Sequence, residues 1–330
     1  MALGEFDLIA RYFERPQRPV TGAVALGVGD DCALLQPAPG TQIAISCDML
    51  VGERHFFADV DPVTLGHKAL AVNLSDLAAC GAKPLACTLA LALPRVDEAW
   101  LAGFARGLFA LADAHDCQLI GGDTTRGPLN ICITVFGEVP IVGGKSRALL
   151  RSGARAGDDI WVSGTLGEAR LALEALQGKL QLPPELLQAI RPRLECPTPR
   201  VALGLALRGV AHAAIDLSDG LMGDLGHILA MSRCGATLDT AAATGLLAAA
   251  ASRAGLSQER QLALVLGGGD DYELLFTAPV AARAAVQVAA QQAGTPVTCI
   301  GRIEAEPGLR LLDADGRPVT GRFASFDHFA

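Results

Sequence analysis

Apolar and polar positions along the chain alternate between two periods, a strand-like period of two and a helical period of three to four, with glycine and aspartate clusters between them. The clearest helical stretch runs Ala69-Leu70-Ala71-Val72-Asn73-Leu74-Ser75-Asp76-Leu77-Ala78-Ala79-Cys80-Gly81. Asp61 stands where an N-cap belongs, Pro62 takes the first helical position, and Gly81 followed by Pro84 stops the run. The segment is apolar nearly all the way round, which predicts a buried helix. Asn73 and Asp76 share one of its faces, and an ionised carboxylate inside a buried helix requires an opposite charge or a metal ion.

From the N-terminus, Phe6, Ile9, Ala10 and Phe13 recur at helical spacing. A glycine turn with Asp30 and Asp31 leads into a strand; its Gly27-Val28-Gly29 is no dinucleotide fingerprint, since the third glycine falls at Cys32 and no helix follows. Gln42 to Asp48 alternates as a strand, and because aspartate disfavours strand interiors Asp48 is expected at its end. His55 lies in a polar loop. Pro84 to Pro94 reads as a buried strand, Asp97 to His115 as a helix, and Gln118 to Ile120 as a strand ending in the turn Gly121-Gly122-Asp123-Thr124-Thr125-Arg126-Gly127. Gly143-Gly144-Lys145-Ser146 imitates a phosphate-binding loop, but Val139 occupies the place of its first glycine. A boundary near Arg151 is expected to divide the chain into domains 1–150 and 151–330.

The second half is expected to open with a turn and a strand, Gly157 to Gly164, and then to be helical to about residue 210, broken into pieces by Pro192, Pro197 and Pro199. The strand Ala213 to Asp216 opens on Leu217-Ser218-Asp219-Gly220 and a helix, Leu221 to Cys234. Gly267-Gly268-Gly269-Asp270-Asp271-Tyr272-Glu273 precedes the strand Leu274 to Ala278. Such alternation of strands and helices predicts an α/β sandwich.

The 330 residues, 51% hydrophobic and 19% charged, suffice for two cores. A net charge of −8 argues against unaided nucleic-acid binding, and any phosphate ligand would need metal ions or arginines. Nine cysteines without a zinc-type spacing read as reduced thiols of a cytoplasmic protein, and neither a signal peptide nor a membrane span is expected. Asp30, Asp31, Asp48, Asp76, Asp123, Asp216 and Asp219 fall in turns, at strand ends or in the buried helix. Read alone, they serve equally as turn chemistry or as magnesium ligands.

Six segments taken in order resemble the thiamine-monophosphate kinase family. They are Gly27-Val28-Gly29-Asp30-Asp31, Ser46-Cys47-Asp48, Val72 to Pro84, Gly121-Gly122-Asp123-Thr124-Thr125-Arg126, Ile215-Asp216-Leu217-Ser218-Asp219-Gly220 and Asp271-Tyr272-Glu273-Leu274. The resemblance implies an α+β or α/β two-domain fold shared with aminoimidazole ribonucleotide synthetase and selenophosphate synthetase, whose N-terminal sheet pairs into a barrel across a homodimer. It implies transfer of phosphate from ATP to thiamine monophosphate with several Mg2+ ions. Asp31, Ser46, Cys47, Asp48, Asp76, Asp123, Asp216 and Asp219 match the metal positions; Gly122, Asp123, Arg151 and Ser218 the ATP contacts; and His55, Asp270 and Phe326 the thiamine monophosphate side. Cys47 stands where a hydroxyl residue is common, leaving a side-chain or backbone ligand open, and Asp270 replaces a more usual glutamate. A phosphate acceptor needs no general base, so no catalytic acid, base or nucleophile is expected. Two alternatives are another ATP-dependent enzyme of this fold and a non-enzymatic nucleotide or metal sensor.

Overall fold

The structure is a computed structural model that describes residues 4–15, 22–321, 323 and 325. It divides into two compact units, one reaching Leu77 and resuming at Ala82–Arg147, the other comprising Ala78–Gly81 and the chain from Ala148 onward. Among the described residues no helix is long and apolar enough to cross a membrane.

The first unit holds α1 (Glu5–Tyr12), β1 (Val24–Leu26), β2 (Leu34–Leu35), β3 (Thr41–Val51), α2 (Pro62–Ala79), β4 (Lys83–Leu93), α3 (Glu98–Ala114), β5 (Gln118–Arg126), β6 (Asn130–Val142) and β7 (Lys145–Ser146). Its main sheet runs β3-β6-β4-β5, with β7 paired to β6. β3, β6 and β4 are antiparallel neighbours, while β4 and β5 are parallel and joined through α3, the crossover that a parallel pair requires. The α2 helix forms where its punctuation places it: the Asp61 carboxylate accepts the Val63 N–H at 2.8 Å, and Leu65, Leu70, Leu74 and Leu77 are buried. It packs closely on α3, because a β-carbon at Gly66 would lie within 2.9 Å of the Phe104 carbonyl, and one at Gly107 within 2.8 Å of the Val63 carbonyl. That close crossing fixes the helix that carries Asn73 and Asp76.

The second unit holds β8 (Asp158–Ser163), α4 (Glu168–Leu176), α5 (Pro184–Glu195), α6 (Val201–Ala206), β9 (Ala213–Asp216), α7 (Leu221–Ser232), β10 (Gly235–Asp239), α8 (Thr240–Gly245), α9 (Ala248–Ala254), α10 (Gln258–Gly267), β11 (Leu274–Pro279), α11 (Arg283–Gln292), β12 (Val297–Glu304) and β13 (Gly308–Leu312). Its sheet has the order β13-β10-β12-β8-β11-β9, antiparallel except for the β10–β13 pair. Ile160, Val162 and Leu275 from this sheet share a core with Leu171, Ile190 and Leu225 from the helices. Trp161 and Phe276 alternate to the opposite face and stack with centroids 6.4 Å apart; Arg283 of α11 reaches Asp159 on that side at 2.5 Å. Helices thus cover both faces, as a sandwich requires.

Three local expectations are corrected. Asp48 is interior to β3, which continues to Val51. Gly121 to Arg126 is strand rather than turn, because β4 offers it a parallel partner along the whole segment. Pro192 sits inside α5 without ending it, whereas Pro197 and Pro199 do fall in the break between α5 and α6, and a further break follows Leu176.

Candidate functional site

In the first unit the expected residues form two separate groups. One joins α2 to β3. Ser46 Oγ donates to Asp76 Oδ2 at 2.5 Å, and the Asp48 N–H donates to Asn73 Oδ1 at 3.0 Å. The three-residue spacing of Asn73 and Asp76 therefore does place both side chains toward β3. Asp76 is partly exposed rather than fully buried, whereas Asn73 is 1% exposed.

Cys47 lies between Ser46 and Asp48 and so points to the opposite face, the consequence of a period of two. There its Sγ lies 3.4 Å from Cys132 Sγ. Burial and the adjoining Cys47 push the Cys132 thiol up to about 11, so Cys132 stays protonated at neutral pH. His55 closes the loop after β3, its Nδ1 accepting the Val51 N–H at 3.0 Å.

The second group surrounds a cavity of about 770 Å3 between α1, the Val28–Asp31 turn and β5. Ile9, Phe13, Leu89 and Ile120 supply apolar walls; Glu14, Asp30, Asp31 and Asp123 supply carboxylates; and among the described residues no Lys or Arg lines it. That volume suits a small organic ligand, for which pockets run to about 300–1,000 Å3. Gly121 and Gly122 form part of the wall, but Gly122 answers to packing: with φ at +148°, its β-carbon would lie within 2.8 Å of the Leu89 backbone O, C and N on β4.

Asp48 and Gly122 align across the sheet through Ile133 and Leu89, three strand spacings apart or roughly 14 Å. One chain therefore does not gather Asp48 and Asp123 within its first unit.

In the second unit the β9–α7 and α10–β11 loops are tied together. The Asp270 N–H donates to Ser218 O at 2.9 Å, the Tyr272 N–H to Leu217 O at 2.8 Å, and the Leu217 N–H to Glu273 O at 2.9 Å. Asp216, Ser218, Asp219 and Asp270 are thus brought side by side. Arg151 is exposed, and its carbonyl accepts from Ser232 Oγ, which also receives the N–H groups of Gly153 and Ala154. Phe326 lies outside the described residues.

Sequence reasoning missed Asp224, whose carboxylate accepts the N–H groups of Asp219 and Gly220 at 3.2 and 3.1 Å. Burial, with Asp219 adding to it, pushes that carboxyl up to about 6. An acid in the first turn after Asp219-Gly220 was the available signal. It also missed Glu273, which is fully buried against Arg193 and Arg200.

The donor set suits magnesium, since every expected side-chain ligand except Cys47 offers a hard oxygen. Among the described residues no three His, Cys, Asp or Glu side chains converge tightly enough to chelate an ion by themselves. Magnesium characteristically takes one or two carboxylates and completes its shell with water and substrate phosphates, so such an open arrangement fits it.

Known proteins share both the fold and the sequence. The family described as AIR synthase related protein, N-terminal domain, matches residues 29–139, and its C-terminal domain counterpart matches 155–314. A thiamine-monophosphate kinase of Salmonella typhimurium is 50% identical over 332 residues, covering 100% of this chain and 99% of its own. The crystal structure of thiamine-monophosphate kinase from Stenotrophomonas maltophilia K279a has 45% identity and a TM-score of 0.81, over 94% of this chain and 95% of that one. The structure of AaThiL complexed with AMPPCP and TMP has 27% identity and a TM-score of 0.74, over 99% of this chain and 97% of that one. An end-to-end match at half of all positions, on the same two-domain fold, leaves one assignment: the chain belongs to the thiamine-monophosphate kinase family.

Proposed function

We propose that this chain phosphorylates thiamine monophosphate to thiamine diphosphate with ATP, by direct in-line transfer between phosphates held by magnesium. The observation that carries the reading is the cavity beside β5, apolar on one side, ringed by carboxylates and, among the described residues, lined by no basic one. A base and ribose suit its apolar wall, but a triphosphate beside Glu14, Asp30, Asp31 and Asp123 would be repelled unless cations intervened. Bound magnesium would neutralise phosphate charge and align the reacting oxygens.

Asp31 and Asp123 would hold metal at this cavity. Ser46, Asp48 and Asp76 would do so at the α2–β3 junction, and Asp216 and Asp219 in the second unit. Cys47 would take part only through its backbone, since its side chain faces Cys132. Gly122, Arg151 and Ser218 would contact ATP; His55, Asp270 and Phe326 would face thiamine monophosphate. The acceptor phosphate is already ionised near neutral pH, so no side chain needs to remove a proton and no phosphoenzyme forms. Catalysis is then positioning and charge neutralisation.

ADP release in magnesium buffer, followed with thiamine monophosphate, with thiamine and with aminoimidazole precursors, tests the reading. ADP should appear with thiamine monophosphate. Release from an aminoimidazole precursor would favour a sibling activity of the fold, and no release from any acceptor would favour a sensor.

The chain is expected to act as a homodimer. On the outer face of β3, Ile45, Met49 and Val51 are exposed by 62%, 53% and 36%, an apolar row that water alone would cover poorly. Light scattering at micromolar concentration should give a dimer, and Ile45→Glu with Met49→Glu should give a monomer; a wild-type monomer would sink this assignment.

A further inference from the structure

The loop carrying Asp270 holds a backbone conformation that its own residues resist. Asp270 has φ +65° and Tyr272 φ +50°, both left-handed and neither a glycine. Such strain persists only where surroundings impose it, and it concentrates at functional sites. Here the alternate residues impose it. Both oxygens of buried Asp271 accept the Gly167 N–H, at 3.1 and 3.0 Å. Glu273, fully buried, takes four donors: Arg193 Nη2 at 2.7 Å and Arg200 Nη2 at 2.5 Å on Oε1, Arg200 Nε at 2.7 Å and Ser163 Oγ at 2.5 Å on Oε2. On the other side of the loop, the Asp270 and Tyr272 N–H groups are tied to Ser218 O and Leu217 O.

We propose that Glu273, gripped by Arg193 and Arg200, is a positioning residue that forces the 270–272 segment into its left-handed turn and so sets Asp270 beside Ser218 and Asp219. A cluster serving only stability would be a poor use of buried charge, because desolvating such groups costs as much as their attraction returns, and apolar residues of similar volume often do as well. What an apolar replacement lacks is direction. Four fixed donors leave Glu273 one placement, and the left-handed residues beside it inherit that placement. This rests on the assignment of Asp270 to the substrate side, and the experiment separates the two.

Arg200→Lys keeps the charge but loses the two-pronged grip on the carboxylate. Ser163→Ala, which removes one donor, is the milder variant should Arg200→Lys fail to fold. Either should raise KM for thiamine monophosphate about tenfold, a change of 1.4 kcal/mol in binding, while KM for ATP moves less than about twofold. Equal rises in both constants, or none where Asp270→Ala itself raises KM for thiamine monophosphate, would overturn the proposal.

A readout independent of activity comes from a double-variant cycle in thermal melting. Glycine adopts the left-handed turn without cost, so Asp270→Gly removes the strain that the grip restrains. In wild type part of the loss from Arg200→Lys is offset as the strained turn relaxes, so the Tm loss of Arg200→Lys should be clearly larger in the Asp270→Gly background, where no strain remains to be relieved. Additive losses would overturn the proposal whatever the kinetics. Asp270→Ala that leaves KM for thiamine monophosphate unchanged, beside non-additive melting, would remove the substrate assignment and keep the positioning role.

Discussion

Gly122→Ala is expected to destabilise the first unit by about 4 kcal/mol or more, lowering its melting midpoint by roughly 10 °C, while Gly121→Ala stays within about 1 kcal/mol of wild type. The two glycines are neighbours in the same strand, both on the wall of the acidic cavity. They differ in what stands over them. A β-carbon on Gly121 meets nothing within 4 Å, whereas one on Gly122 would enter the backbone of Leu89, at a φ of +148° that side-chain-bearing residues rarely adopt. Leu89 cannot yield cheaply, because β4 is pinned by β6 on its other side, where Leu89 pairs with Ile133. The sheet must part or β5 must shift, and either change also disturbs Asp123. Urea or thermal melts of the two variants decide the point. A Gly122→Ala protein that melts with wild type would show that the strand spacing is softer than this geometry requires.

That pair also shows where sequence reading reaches and where it stops. The α2 helix was fully legible: Asp61, Pro62 and Gly81 are local signals that act within one turn of where they stand. The shared face of Asn73 and Asp76 followed from helical period alone. Gly121 to Arg126 was misread because glycine and aspartate mark turns when no partner strand is known, and the partner, β4, lies about thirty residues earlier in the chain. Asp48 was placed too near a strand end for a related reason. Its aversion to strand interiors is weak beside the continuous pairing of β3 with β6 and the Asn73 side chain that meets its N–H. That Cys47 faces away from Ser46 and Asp48 could have been read from the period of two. The grip on Glu273 could not, since Arg193 and Arg200 lie 80 and 73 residues from it.

Asp123→Asn is expected to lower turnover by roughly 10²–10⁴-fold while leaving the ligand-free protein as stable as wild type, within about 0.5 kcal/mol. The two halves of this expectation come from different features of the same side chain. Asp123 is exposed on β5, so its charge supports little of the fold, and the amide is nearly isosteric. It shares the cavity with Glu14, Asp30 and Asp31, so removing one negative charge relieves repulsion, and any small change in the ligand-free melt should be upward. With magnesium and AMPPCP present the order reverses. A ligand at a hundred times its Kd stabilises the folded state by about 2.7 kcal/mol through mass action, and the variant should lose most of that gain because a neutral amide is a weaker ligand for a hard dication. Thermal melts of wild type and variant, in EDTA and in magnesium with AMPPCP, therefore give four midpoints, of which only that of wild type with magnesium and AMPPCP should stand clearly above the rest. If Asp123→Asn keeps both the ligand-induced rise and its turnover, the cavity beside β5 does not hold the metal-bridged phosphates, and that site must be sought at the α2–β3 junction around Asp48 and Asp76.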